Sequence, residues 1–160
     1  MMRVGIGYDI HRLKRDRRFI LGGVVIPFAK GEDGHSDGDV LAHAVMDALL
    51  GACGIADIGE LFPPSDPSYK NADSMELLRI VYLRIKQLGY SIVNIDCVII
   101  CEKPKVLHFR DEIRSSLSNV LCTSTENIFL KGKTKEGLGC TGKGKAIEAH
   151  AVCLVKKELS

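Results

Sequence analysis

The sequence predicts an α+β fold, a mixed α/β sandwich in which one sheet of about four or more strands carries three main helices on one face. Three segments repeat apolar residues at helical spacing: Val40 to Leu50, Leu77 to Leu88, and Phe109 to Val120. Short β-branched or alternating segments interrupt these helices irregularly, without the strict alternation of a doubly wound fold. The last segment, Ala146 to Lys156, places Ile147, Ala149 and Ala151 on one side and Glu148, His150 and Val152 on the other. Helices covering the first side leave the second to face another subunit.

Taken in order, Arg3 to Asp9 alternates Val4 and Ile6 with glycines and reads as a strand that delivers Asp9 and His11 at its end. Residues of like parity share a strand face, so these two side chains can converge on one ion. Basic Arg12 to Arg18 reads as a solvated loop. Phe19 to Leu21 and Val24 to Ile26, split by Gly22-Gly23, read as two short strands or a bulged hairpin. Phe28 to Gly34 reads as a mobile connection.

The first helix runs from Asp39 to Gly51, with Asp37 or Ser36 as its cap and Gly51 or Gly54 as its stop. The prolines at 63, 64 and 67 make Ile55 to Pro67 a rigid loop. Asp73-Ser74-Met75-Glu76 opens the second helix, which Gly89 ends. The strand Ile92 to Cys101, a turn at Glu102 to Lys105, and a third helix from Val106 or Leu107 follow. A polar turn, Cys122 to Asn127, leads into the strand Ile128 to Lys133 and a Gly-rich loop before the final strand.

A 46% hydrophobic and 26% charged composition fits one domain over residues 1–160 with a sizeable core. The formal net charge of +2 arises from 22 basic and 20 acidic side chains, so any anion binding is local rather than global. With no basic helix face and no aromatic beyond Phe129 near the basic loop, a nucleic-acid partner is not expected. The cysteines at 53, 97, 101, 122, 140 and 153 lack paired spacing and read as free, mostly buried thiols of a reducing compartment. No signal-peptide, transit-like or transmembrane segment is visible, so a cytoplasmic protein is expected, or a processed form from an organellar stroma. No membrane partner is expected.

The densest polar stretch is His35-Ser-Asp-Gly-Asp-Val-Leu-Ala-His43, set at a helix start whose free N–H groups favour a phosphate or a carboxylate-rich ligand. Asp9, His11 and His43 offer two nitrogens and a carboxylate oxygen, a donor set that suits zinc with one position left open. The same residues also fit a turn aspartate, a surface histidine and a hydrogen-bonding helix histidine. His35-Ser36 is not a catalytic dyad by adjacency alone, and no G-x-S-x-G elbow is present, so ligand contact or capping suits Ser36 better than acyl transfer. Lys131 to Lys145 holds five lysines against one glutamate. Gly137 and Gly142-Lys143 approach a P-loop, but Gly144 replaces the magnesium-binding hydroxyl and no helix pattern follows. What remains is a glycine-loosened loop suited to phosphate contact, or a solvated basic hairpin.

Gly7-Tyr-Asp-Ile-His11, His35-Ser-Asp-Gly-Asp39, His43, Asp57-Ile-Gly59, Phe62-Pro63 with Asp66, Pro104-Lys105, Thr134 with Glu136, Leu138-Gly139 and Thr141-Gly142 occur in one order across nearly the whole chain. That series closely resembles the 2-C-methyl-D-erythritol 2,4-cyclodiphosphate synthases of non-mevalonate isoprenoid precursor biosynthesis. The resemblance implies a homotrimer with an active site at each subunit junction. The implied reaction converts 4-diphosphocytidyl-2-C-methyl-D-erythritol 2-phosphate into the cyclic diphosphate with release of CMP.

By the same resemblance, Asp9, His11 and His43 hold zinc, and Glu136 helps hold magnesium or manganese on the substrate diphosphate. His35 and Ser36 contact phosphate, with Asp9, Ile10 and His11 beside them, and His35 and Thr134 serve catalysis. Asp57, Ile58, Gly59, Phe62, Pro63, Pro64, Ser65 and Asp66 contact the methylerythritol end. Cys101, Glu102, Lys103, Pro104, Lys105, Val106 and Leu107 form a cytidine pocket contributed, with Thr134 and Glu136, by the neighbouring subunit. Lys133, Lys135, Cys140 and Lys143 complete the implied contacts.

Several positions depart from the family pattern. Lys133 and Lys135 flank Thr134 where hydroxyl residues are common, which points to ionic nucleotide contacts. Cys140 replaces a frequent aromatic. Lys143 stands where arginine often lines the trimer's central cavity, and with His150 it offers no bidentate clamp for an isoprenoid diphosphate. The rivals are a zinc-dependent phosphohydrolase and a metal-stabilised trimeric scaffold without activity.

Overall fold

The computed structural model describes residues 1–158. Its elements are β1 (Met2–Arg15), β2 (Phe19–Leu21), β3 (Val24–Ile26), β4 (Lys30–Asp33), α1 (Val40–Cys53), α2 (Ile58–Leu61), α3 (Ser74–Gln87), β5 (Tyr90–Ile100), α4 (Arg110–Val120), β6 (Ile128–Lys133), α5 (Gly139–Gly142) and β7 (Ala146–Lys157). Five strands form a mixed sheet in the order β4-β1-β7-β5-β6, and β2-β3 is a separate hairpin. Only β5 and β6 pair in parallel, joined by the crossover through α4; the other pairings are antiparallel. The chain is therefore α+β, and α1, α3 and α4 pack against the sheet and one another.

Odd-numbered residues of β1 face the helices, because Gly5, Gly7 and Leu13 are buried while Val4, Ile6 and Tyr8 are exposed. The glycines let α1 approach at backbone distance: a Cβ on Gly5 would lie 1.9 Å from the Ala48 carbonyl oxygen, and one on Gly7 1.9 Å from that of Ala44. Ala44, Ala48 and Ala52 supply the matching small surface on α1. The opposite sheet face is left open and largely apolar, with Val4 67% and Ile6 70% exposed and Phe129 and Val152 also bare.

Three sequence expectations are corrected at the N-terminal half. Arg12 to Arg18 is not a loop as a whole: β1 continues to Arg15, pairing Arg12 with Asp33 and Arg15 with Lys30. Charge marks the solvent side of that strand while Leu13 points inward, so composition reports exposure rather than conformation. Phe28 to Gly34 is not a mobile connection, since it contains β4, and Gly31 sits where a Cβ would lie 2.0 Å from the Arg18 carbonyl oxygen. The cap of α1 is Asp39, not Asp37 or Ser36; its carboxylate accepts from Ala42 N at 3.0 Å. Gly54, at φ 67°, ends the helix, and Arg3 Nε donates to the Ala52 carbonyl there. The third helix opens as a 3-10 turn, Val106–Phe109, before becoming α-helical at Arg110.

All cysteines are unpaired, but only Cys97, Cys101 and Cys153 are buried; Cys53 is half-buried, and Cys122 and Cys140 are exposed. Burial pushes the Cys97 thiol up to about 12 and those of Cys101 and Cys153 up to about 11, so all three are inert.

Asp39 does more than cap. Its oxygens also accept from Gly22 N at 3.0 Å and Gly23 N at 2.7 Å, tying the β2-β3 turn to the start of α1. Complete burial pushes its carboxyl up to about 6 against the pull of these N–H donors. Beside it, fully buried Glu32 accepts from Ile20 N at 2.9 Å through Oε2, while Oε1 has no partner. Burial and the Asp39 charge push Glu32 well above the usual carboxylate range.

Two outcomes follow. Gly7→Ala forces a side-chain carbon into the Ala44 carbonyl and should destabilise the protein by about 3 kcal/mol or more, read from urea midpoints. A raised carboxyl pKa costs stability as pH rises from the unfolded value through the folded one, and costs nothing below both. The melting temperature of Glu32→Gln should therefore fall by less than that of the native protein as pH rises from about 4.5 to neutral. Parallel pH profiles would refute a raised Glu32 carboxyl.

Candidate active site

Asp9 and His11 continue the odd-numbered face of β1 on which Gly5 and Gly7 receive α1, and His43 lies one turn inside that helix. Close packing of strand and helix therefore brings the three side chains together. Asp9 Oδ2 lies 2.9 Å from His11 Nε2 and 2.9 Å from His43 Nδ1, and the two nitrogens are 3.1 Å apart. Tetrahedral bonds of about 2.0–2.1 Å would separate donor atoms by about 3.3 Å. The triangle is close to that size, and its two nitrogens and one carboxylate oxygen fit a divalent metal. Burial opposes the charge on Asp9, but the hydrogen bonds from His11 and His43 prevail and hold its carboxyl well below the usual range. Burial likewise opposes protonation of His43, and Asp9 outweighs it, raising the imidazole.

Away from the triangle, His43 Nε2 lies 3.0 Å from Ser36 Oγ and 3.0 Å from Ser74 Oγ. Ser74, at the start of α3, is fully buried and donates to Asp37 Oδ1 at 2.5 Å. The sequence reading treated Asp37 as a helix cap and Ser74 as part of a helix start. Nothing in their spacing of 37 residues signals that they meet.

The triangle opens into a cleft of about 200 Å³ whose walls include His35, Ser36, Ile58, Gly59, Phe62 and Pro64. His35 is exposed at its mouth, while Ser36 is buried. Met46, Tyr69 and Leu77 also line it and were not anticipated. Asp57 caps α2 by accepting from Glu60 N at 2.8 Å, and Asp66 caps the following 3-10 turn. Pro63 and Ser65 are not part of the lining. Ile10 has the opposite parity on β1 and lies 46% exposed on the open sheet face, although its N–H donates to Asp9 Oδ1 at 2.9 Å.

A second cleft, of about 390 Å³, is walled by Cys101, Glu102, Pro104, Lys105, Val106 and Leu107 on one side and by Gly132, Lys133 and Thr134 on the other. Gly132 leaves room there, since a Cβ would crowd the Leu107 side chain at 3.0 Å. The Cys101 N–H donates to the Lys133 carbonyl at 3.0 Å, and Lys135 N to Glu102 Oε1 at 2.7 Å, which fixes the β6 exit against the proline turn. Thr134 Oγ1 donates to Glu136 Oε1 at 2.6 Å. Lys103 and Lys143 are exposed and do not line this cleft. Lys135 Nζ is held by Glu148 at 3.0 Å, and Thr141 donates to the same carboxylate at 2.6 Å, so the ammonium is already neutralised. The two clefts share no lining residue within one chain.

Residues 2–156 match the YgbB family. The 2-C-methyl-D-erythritol 2,4-cyclodiphosphate synthase of Treponema denticola is 59% identical over 154 residues, covering 96% of each chain. The synthase of Clostridioides difficile is 51% identical, again over 96% of each. Among solved structures, the CDP complex of Plasmodium falciparum IspF superposes with a TM-score of 0.87 at 38% identity, over 99% of this chain and 97% of that one. The bifunctional IspDF of Campylobacter jejuni gives a TM-score of 0.95 at 37% identity, with this chain covering 43% of that longer protein. With its ordered motifs, its sheet and its relatives in agreement over almost every residue, the chain belongs to the YgbB family.

Proposed function

We propose that the chain catalyses an intramolecular phosphoryl transfer. The 2-phosphate oxygen of 4-diphosphocytidyl-2-C-methyl-D-erythritol 2-phosphate attacks the β-phosphorus, the bond from that phosphorus to the bridging oxygen breaks, and CMP departs. The product is 2-C-methyl-D-erythritol 2,4-cyclodiphosphate, an intermediate of non-mevalonate isoprenoid precursor synthesis. The observation that carries this reading is the triangle of Asp9, His11 and His43 opening beside His35 and Ser36 in a chain 59% identical to a synthase of that name. Such a displacement needs alignment and charge neutralisation more than a protein nucleophile. Zinc held by Asp9, His11 and His43, and magnesium or manganese held by Glu136 with the diphosphate, would supply that neutralisation.

The chain's own residues do the positioning. Ser36 and His35 offer hydrogen bonds to a phosphate in the cleft, while Ile58, Gly59, Phe62 and Pro64 form a largely apolar wall for the methylerythritol end. The second cleft takes the cytidine through the backbone of Cys101 to Leu107, and Thr134, at its rim, donates to the diphosphate as charge builds. The two clefts share no lining residue, which supports a working site assembled from two chains. The open apolar face carrying Val4, Ile6, Phe129 and Val152 is where a homotrimer would close. The chain acts as one domain over 1–160, and the cytoplasm or an organellar stroma suits its free thiols. Among the described residues no helix is long and apolar enough to cross a membrane.

Incubation with the cytidylyl substrate should give one cyclic diphosphate per CMP by phosphorus NMR; a linear product would instead indicate hydrolysis by water. His43→Ala should lower kcat by about 1000-fold, consistent with the several kcal/mol that metal chemistry supplies, while sedimentation still reports a folded trimer. Thr134→Ala should slow turnover by about 10- to 100-fold, the lower range for a lost transition-state donor, with zinc content unchanged. Loss of zinc in that variant would contradict its role.

A further inference from the structure

Asp37 and Ser74 have no role in the reaction proposed above, yet among the described residues they form a side-chain path from a carboxylate to the far nitrogen of His43. Ser74 Oγ is 2.5 Å from Asp37 Oδ1, 3.0 Å from His43 Nε2 and 3.2 Å from Ser36 Oγ. Asp37 is further fixed by accepting from Ser74 N at 3.1 Å through Oδ2 and from Asp39 N at 3.2 Å through Oδ1.

The protons can be placed by elimination. Ser74 Oγ donates to Asp37 Oδ1, so the Ser74 hydroxyl proton points to Asp37. Ser74 Oγ then presents lone pairs to His43, and the contact at 3.0 Å holds only if Nε2 carries a proton. With Nε2 engaged in this way, Nδ1, which holds Asp9 Oδ2 at 2.9 Å, is the nitrogen left to exchange its proton for a metal. Ser36 Oγ accepts from Gly38 N at 3.3 Å and can share the His43 proton, and its own hydrogen is left for Ser74 Oγ at 3.2 Å or for a ligand in the cleft.

We propose that Asp37, acting through Ser74, is a positioning residue that sets the tautomer and ring orientation of His43 so that Nδ1 is ready as a metal donor. The inference rests on the reading of Asp9, His11 and His43 as a metal site. It gives a purpose to a buried serine that apolar packing alone would not require.

The competing explanation is that Asp37 merely ties the start of α3 to the 36–39 loop, and an isosteric change separates the two. In Asp37→Asn the amide NH2 donates to Ser74 Oγ, whose proton then turns to His43 Nε2 and drives the imidazole proton onto Nδ1. Zinc affinity of the metal-stripped full chain, measured by chelator competition, should fall by about 10- to 100-fold in Asp37→Asn. Ser74→Ala should fall less, because Ser36 Oγ still accepts from Nε2. Adding Ser74→Ala to Asp37→Asn should restore affinity toward that of Ser74→Ala alone, because the misdirected hydroxyl is gone. A merely structural tie predicts no such rescue.

Native affinity in Asp37→Asn, or a double variant as weak as Asp37→Asn, would overturn the proposal. Nitrogen-15 NMR of the native zinc-loaded protein tests it independently of any variant's folding: a slowly exchanging His43 Nε2 proton is expected, and a freely exchanging one would overturn it. If the native chain takes up no zinc that His43→Ala loses, the metal reading itself has failed, a result distinct from normal uptake by Asp37→Asn.

Discussion

Helix α1 meets strand β1 at backbone distance, and most of the molecule's chemistry depends on that contact. Gly5 and Gly7 have no side chain to hold the helix away, and Ala44 and Ala48 bring its carbonyls down onto the strand. A helix packed through ordinary side chains would sit farther out, and an imidazole projecting from it would fall short of the strand's carboxylate. Here the glycine face runs directly into Asp9 and His11, so the packing surface and the candidate metal donors are successive residues of one strand face.

The acids around the start of α1 serve separate needs. Asp39 satisfies N–H groups from the helix and from the β2-β3 turn, joining elements that share no sheet. Glu32 satisfies one strand N–H, and burial beside Asp39 disfavours a second charge there. Asp37 serves the imidazole side. Three carboxyls within eight residues of sequence thus occupy three different electrostatic environments.

Periodicity made the helices, the strands β5 to β7 and the hairpin legible, because each buries one face and its sequence carries that face's spacing. Strand β4 and the far half of β1 were hidden by charge: Lys14 and Asp33 form an ion pair at 2.6 Å on the exposed side of a paired edge. The metal triangle was readable in outline as donor types, but spacing alone left a bland alternative, and the ordered family motifs favoured the metal. Ser74 and the Glu148 hold on Lys135 were not readable, since each depends on contacts between distant elements. Lys135, expected to meet phosphate, has its charge answered within its own chain.

Both ends of α1 are anchored to the β-scaffold, through Asp39 at its start and through the Arg3 guanidinium on the Ala52 carbonyl at its finish. The helix can neither slide along β1 nor rotate on it without breaking buried hydrogen bonds, so the ordering entropy of the donor triangle is lost when the core forms. Ion capture by that triangle would then carry little conformational cost, in contrast to small domains that fold only around their metal. Ion exchange and unfolding would be separate events in such an architecture.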